Sequence, residues 1–548
     1  MADSYTHRIE RLVDEHFAAD PALQLPFCTL YHFMCQVLTQ TILRAGTLET
    51  GMVNPFYYIL ENVRDFSPMS LEESFDSIAK TEQIGMLPLI QCATLHIVFP
   101  QIHRGLYTIT ADGENASRIH YSSERAASLE RRDVLLTNLS LPFVVPKKKA
   151  SAEFLQAAVR RLNRGERLTP SRALNEIRTV YAEDGLLYRE DALVPDEVFV
   201  QLGFSSAIAF RQIRRAFVAL AQVYLNATRL VDRFLEERHQ YAAAGDHLWI
   251  GIAMERISRD GLHALIFEIC GVAGADFEKF LEFFVGDAGT KKISNSFMPP
   301  FWSIGEHIYF MPGALPTLLG QRNLLISIQN DPCKRRRYDF DKQISNLFEP
   351  TLIARAREYF HSSGFLSKTE CGFADRSIDL VVYCQKSNIV LTIQAKATLP
   401  PENARMVERL QTRVNEGLDQ IEVFDRIDEN TKLQLFNTWF PEAVSVGVRH
   451  IRAVLVNSSF GSFSAWERLE SLDVLPLNTY IMSTLLPKCS TLSELKPAVW
   501  ALIDDIERTS EAVLEEKLFT VGSHVIKQDH YELKGENRQR VKQIAEYM

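Results

Sequence analysis

Cysteine is scarce in this chain of 548 residues: the eight, Cys28, Cys35, Cys92, Cys270, Cys333, Cys371, Cys384 and Cys489, form no CxxC pair and no Cys/His cluster at zinc-finger spacing. A structural zinc site is not expected, and all eight read as free, mostly buried thiols of a reducing compartment. Long apolar runs are missing too. The most apolar stretch, 86–100, carries Pro88, Gln91 and His96 and falls short of the roughly 20 residues a bilayer crossing needs, so it reads as a buried core segment. The opening MADSYTHRIERLVDEHF has neither an apolar leader core nor an Arg-rich, acid-poor transit composition, and a soluble, cytoplasmic protein without a membrane partner is expected. No Walker loop, GxSxG, HExxH or protein-kinase signature occurs, which leaves those chemistries unsupported. Repeats of fixed period and low-complexity segments are absent as well.

Positive charge is not in excess either. The formal net charge of -9 argues against a broadly basic surface, so any contact with nucleic acid has to come from local patches and a bound cation. What the chain does have is ordinary globular composition, 46% hydrophobic and 24% charged, at a length for which two or three domains are expected.

The character changes near residue 330. Residues 1–330 read as mostly helical, a region for sensing, oligomerisation or partner binding that could subdivide near residues 150 and 295. The clearest helix spans 206–240, where Ile213, Phe217, Leu220, Tyr224, Ala227, Val231 and Phe234 alternate in steps of four and three. Arg211, Arg214, Arg215, Arg229 and Arg233 fall opposite, as a solvated face paired with acids rather than a phosphate surface. Further helices are expected at 26–44, 70–84, 152–163, 170–181, 249–259 and 276–285, with a strand at 307–310.

The domain boundary is expected within 329–341. It contains Lys334, Arg335, Arg336 and Arg337, a run that could hold a phosphate backbone or simply be solvated. A second run, Lys147 to Lys149, is expected in a loop and receives no function.

From residue 331 the pattern turns α/β. A helix to about 362 precedes strands at 365–370, 377–384 and 388–397, a helix at 401–424, strands at 450–457 and 474–478, and a helix at 492–517. In RSIDLVVY, Ile378 and Leu380 are expected on one face and Asp379 on the other; in IVLTIQAKA, Thr392, Gln394 and Lys396 share a face opposite Leu391, Ile393 and Ala395. Strand pairing could bring Asp379 beside Gln394 and Lys396. A hard divalent cation wants oxygen ligands, polarises phosphate and activates water, while a nearby ammonium stabilises developing charge. Asp379 would anchor the cation, Gln394 and the Ala395 carbonyl would add oxygens, and Lys396 would orient water or neutralise phosphoryl oxygens.

These residues, Asp379 followed by Gln394-Ala395-Lys396, resemble the PD-(D/E)xK nuclease superfamily, in the Q-x-K variant of Mrr-type restriction enzymes. The resemblance covers roughly 80 residues and implies a restriction-endonuclease-like domain with a mixed central sheet over residues 331–548. It implies a Mg²⁺- or Mn²⁺-dependent deoxyribonuclease acting inside DNA, with bacterial restriction or antiviral defence as an architectural analogy. Glutamine replaces the usual second acid, which removes one negative ligand. Phe348-Glu349 resembles the family's Phe-Glu on the preceding helix and implies Glu349 as a further catalytic, metal-binding acid, with Glu358 as its competitor, while Gln420 resembles a glutamine near the scissile phosphate that some relatives carry on the following helix and implies a nucleic-acid contact. The alternative is a non-catalytic protein that binds nucleic acid or protein through a degenerate copy of the same fold.

Overall fold

The computed structural model describes residues 2–45, 50–69, 73, 85–140, 150–162, 166–182, 193–238, 253–287, 298–401, 404–441, 447–509 and 512–533. The expected helix at 70–84 and the lysines 147–149 lie outside them, apart from residue 73.

Among the described residues, thirteen strands build three sheets. In chain order they are β1 (Tyr107–Ala111), β2 (Ala116–Tyr121), β3 (Glu255–Ser258), β4 (Val285–Asp287), β5 (Phe301–Ile304), β6 (His307–Phe310), β7 (Leu366–Phe373), β8 (Arg376–Cys384), β9 (Ile389–Lys396), β10 (Arg449–Val456), β11 (Leu475–Asn478), β12 (Ala512–Val521) and β13 (His524–Leu533). The sheet orders are β1-β2-β13-β12, β3-β6-β5-β4 and β11-β10-β9-β8-β7.

The N-terminal region is mostly helical, around the long helix Ala207–Arg238. Ile213, Phe217, Leu220, Tyr224, Ala227 and Val231 are all buried, as their spacing requires. On its other faces Arg211 pairs with Asp196 and Arg215 lies over the Tyr181 ring, but Arg214 is buried, so the arginine face is not wholly solvated. The expected helix at 249–259 is corrected over its second half, 249–252 lying outside the described residues: residues 255–258 form β3, antiparallel to β6, and the helix Arg259–Cys270 starts only after it. Ser258 sets that start by accepting the Gly261 N–H, and Gly271, at φ +67°, ends it in the left-handed conformation.

The five-stranded sheet is mixed. β8 runs antiparallel to both β7 and β9, whereas β9, β10 and β11 are parallel. The parallel crossovers use the helices Ala404–Asp425 and Glu429–Trp439 between β9 and β10, and Phe463–Ser471 between β10 and β11. The helix Phe348–Ser362 precedes β7 and packs on the sheet. Every residue of β9 is buried, as in a central strand covered on both faces.

Two features cross residue 330. One buried cluster runs from Leu129 on the helix Glu124–Ser140, through Ala207–Arg238, to β9, β10 and the helix Leu492–Thr509. The last hairpin, β12–β13, returns to the N-terminal region, with β13 pairing parallel to β2. This corrects the expected helix at 492–517, which stops at Thr509. A turn with Gly522 at φ +60° lets residues 512–533 fold back on themselves as a hairpin, burying Phe519, Val521 and Ile526 among the N-terminal helices. All eight cysteines are free thiols, six of them buried. Among the described residues no helix is long and apolar enough to cross a membrane.

Candidate active site

β9 reads as a core strand except on one face, where alternation places Thr392, Gln394 and Lys396 in a row. Gln394 is 1% exposed and Lys396 5% exposed. Burying a lysine is costly unless a partner compensates, yet Lys396 has no salt-bridge partner among the described residues.

Asp379 reaches this row because the β8–β9 ladder ends just before it, at Leu380↔Ile393. Its Oδ2 accepts the Ala395 N–H at 2.7 Å, so side chain replaces backbone as the next link between the strands. Gln394 Nε2 donates to the Ser377 carbonyl at 3.1 Å, which fixes the amide orientation, since two oxygens there would repel. Gln394 Oε1 is then buried without a donor, an expensive arrangement for an isolated amide.

One expectation about β8 is corrected. Ile378 packs with Val381 and Tyr383 in a small cluster, while Leu380 packs with Val382 and Ile393 in the large core. The regular alternation therefore breaks at Asp379, where the carboxylate has taken over a ladder hydrogen bond.

Burial pushes the Asp379 carboxyl above its ordinary range. The Ala395 hydrogen bond and the Lys396 charge oppose this, and the charges of Glu349 and Glu370 add to it. Of the two acids on the preceding helix, Glu349 is thus the one Asp379 senses; Glu358 is exposed. Glu349 is not free: Arg413 of the following helix donates to it at 2.9 Å and to Glu416 at 2.8 Å.

Two residues went unmarked in the sequence. Gly417 sits inside the helix Ala404–Asp425, where a Cβ would stand 3.2 Å from Lys396 Cγ, 3.3 Å from Cε and 3.7 Å from Gln394 Cβ. A glycine at that point lets the helix backbone close over the lysine stem, and a glycine inside a helical pattern was the available signal. Glu370, on β7, left none. Gln420 lies one turn beyond Gly417, with its Oε1 also buried and lacking a donor.

The basic run is more occupied than its sequence suggests. Lys334 to Arg337 form a short helix capped by Asp331; Arg335 pairs with Asp341 at 2.7 Å and Arg337 with Glu282 at 3.0 Å, while Lys334 Nζ donates to the Glu282 carbonyl at 2.6 Å. Arg336 is exposed.

Farther along β9, Thr392 Oγ1 lies 2.8 Å from His450 Nε2 on β10. Burial, with Lys432 and Arg452 nearby, lowers the His450 pKa to about 3. The two cations are themselves paired, with Glu429 and Asp425.

Among the described residues no three His, Cys, Asp or Glu side chains gather closely enough to hold a metal ion. The donor set here is one anchored carboxylate and a donorless amide oxygen, with an ammonium that has no salt-bridge partner among the described residues. Those oxygens suit a hard cation that keeps several waters, and do not suit a soft one. No family model, curated protein or solved structure matches this chain.

Proposed function

We propose that the chain is a metal-dependent nuclease that hydrolyses DNA phosphodiester bonds, with Mg²⁺ or Mn²⁺ held by Asp379 and Gln394. The observation that carries this reading is that the Asp379 carboxylate bonds to Ala395, the residue between Gln394, whose buried Oε1 has no donor, and the buried Lys396, which has no salt-bridge partner among the described residues. The helix–β7–β8–β9–helix–β10 order and the mixed sheet support a restriction-endonuclease-like reading of this region.

A divalent cation, when bound, supplies Lewis-acid polarisation of phosphate and a more acidic water. The chain's own part is orientation and charge. Asp379, held by Ala395, presents its remaining lone pairs at a fixed place; Gln394, held through its nitrogen by Ser377, keeps its oxygen without a donor. Lys396, its stem covered at Gly417, keeps its ammonium where phosphoryl charge would develop. The region before residue 331 would serve target sensing, oligomerisation or partner binding, an architecture that suits restriction or antiviral defence.

The lack of a second acid in the Gln394 position favours one other reading, a protein that binds nucleic acid without cutting it. Incubation of the full chain with plasmid and linear DNA, with Mg²⁺ or Mn²⁺ and with EDTA, separates the two. Cation-dependent degradation that Asp379→Ala and Lys396→Ala both abolish, with unchanged circular dichroism, is expected. Cutting retained by both variants rejects the site; binding without cutting selects the second reading.

A further inference from the structure

β7 and β8 lose their regular pairing at the same level. The register passes from Thr369↔Leu380 to Cys371↔Ile378, which leaves Glu370 facing Asp379 without a ladder pair. Glu370 has φ +52°, a left-handed conformation that non-glycine residues avoid and that re-aims a strand side chain. It is exposed and makes no hydrogen bond or ion pair among the described residues. Its charge nevertheless bears on Asp379.

Glu349, the other acid that Asp379 senses, is already engaged by Arg413. A pair of acids alone would be an ordinary solvated edge, where charge discourages strand pairing. The independent sign of a ligand is Gln394. It is 99% buried, its nitrogen is fixed on Ser377 of β8 two residues from Asp379, and its oxygen at that level has no donor. An oxygen so placed can take a cation or an ordered water as its partner.

Resting on the cation-dependent reading above, we propose that Glu370 is the second carboxylate of the cation site, facing Asp379, and that Arg413 holds Glu349 outside it. The acid missing from β9, where Gln394 stands, is thereby supplied from the edge strand β7, on the other side of β8. The site then offers two carboxylates and one amide oxygen, a set suited to Mg²⁺ or Mn²⁺ with the remaining positions filled by water.

The test needs no DNA. Free Mn²⁺ is followed by electron paramagnetic resonance as it is titrated into the full-length protein and into Asp379→Asn, Glu370→Gln and Glu349→Gln, each checked by circular dichroism. Glu370 is exposed, so Glu370→Gln is expected to fold normally. The expected result is binding by the parent chain, its loss in Asp379→Asn, and affinity lowered roughly tenfold or more in Glu370→Gln, as when metal-site groups are altered. Glu349→Gln should cost less than Glu370→Gln, and Glu370→Asp should recover part of the loss. Parent-like affinity in Glu370→Gln, with binding lost in Asp379→Asn, overturns this assignment and leaves the cation reading standing. A parent chain that binds no Mn²⁺ at millimolar concentration overturns both. A Glu349→Gln loss equal to that of Glu370→Gln overturns the role given to Arg413.

Discussion

Gly417 lies directly against Lys396, with only 3.2 Å between the position a Cβ would take and the lysine Cγ. Gly417→Ala sets two effects against each other. Alanine favours the helix by roughly 1 kcal/mol over glycine, while its methyl must push the buried stem aside by a few tenths of an ångström. Melting temperature should stay near that of the parent while DNA cleavage falls, because the ammonium is what moves. Gly417→Val adds bulk that cannot be absorbed and should lower both. Full cleavage by Gly417→Ala would show that Lys396 tolerates displacement and is not a precisely placed group.

Asp379 predicts a conflict between stability and activity. Its pKa is raised in the folded chain, so between the ordinary aspartate value and that raised value the folded state holds more protons than the unfolded. Stability falls as pH rises through this window and stays lower at neutral pH. Asp379→Asn removes the buried charge and can still accept the Ala395 N–H. It should therefore be more stable than the parent at pH 7, by roughly 0.5 kcal/mol or more, and the advantage should vanish below about pH 4. Melting curves across pH read both parts; equal stability at all pH values counts against a costly charge at this position.

His450 works in the opposite direction. Its folded pKa, about 3, lies below that of an unfolded histidine, so the unfolded chain takes up a proton first. Stability contributed by neutral His450 is present above about pH 6.5 and is lost as pH falls toward 3, at up to about 1.4 kcal/mol per pH unit. His450→Gln should flatten the acid limb of the stability profile. A parent and variant with identical slopes from pH 6 to 4 would exclude His450 as a source of that slope.

Much of this region was legible because its chemistry is local. β9 declares itself by its apolar run, Asp379 by standing alone in RSIDLVVY, and Gln394 and Lys396 by two-residue alternation. Their convergence needed only one hairpin. Glu370 was hidden because its role depends on a backbone conformation, φ +52°, that no residue type announces. The strand at 255–258 was missed because ERIS takes its partner from β6, some fifty residues later. The same is true at the end of the chain: LEEKL suits a helix by propensity, and only the pairing with β13 makes it a strand.

Asp133 ties the helix Glu124–Ser140 to the loop after β10. Its carboxylate accepts from Ser459 Oγ at 2.6 Å, the Phe460 N–H at 2.8 Å and the Trp466 indole at 3.0 Å. Next to it, Arg132 pairs with Glu470 at 2.6 Å and Glu507 at 2.8 Å. Asp133→Ala strands two buried N–H donors and should cost on the order of 3 kcal/mol. A fragment of residues 331–548 loses this carboxylate and the β2 partner of β13 together, so it should be markedly less stable than the full chain or aggregate. A fragment melting at the full-chain temperature would show that the two regions stand independently.

The return of β13 to β2 also sets an order of events during translation. Residues 107–121 leave the ribosome some four hundred codons before their partner strand exists, so that edge waits, exposed, until β13 has been made. A message truncated after residue 509 would encode every residue assigned to the site and still yield a chain with an open sheet edge, a natural substrate for chaperones and proteases rather than a stably folded chain.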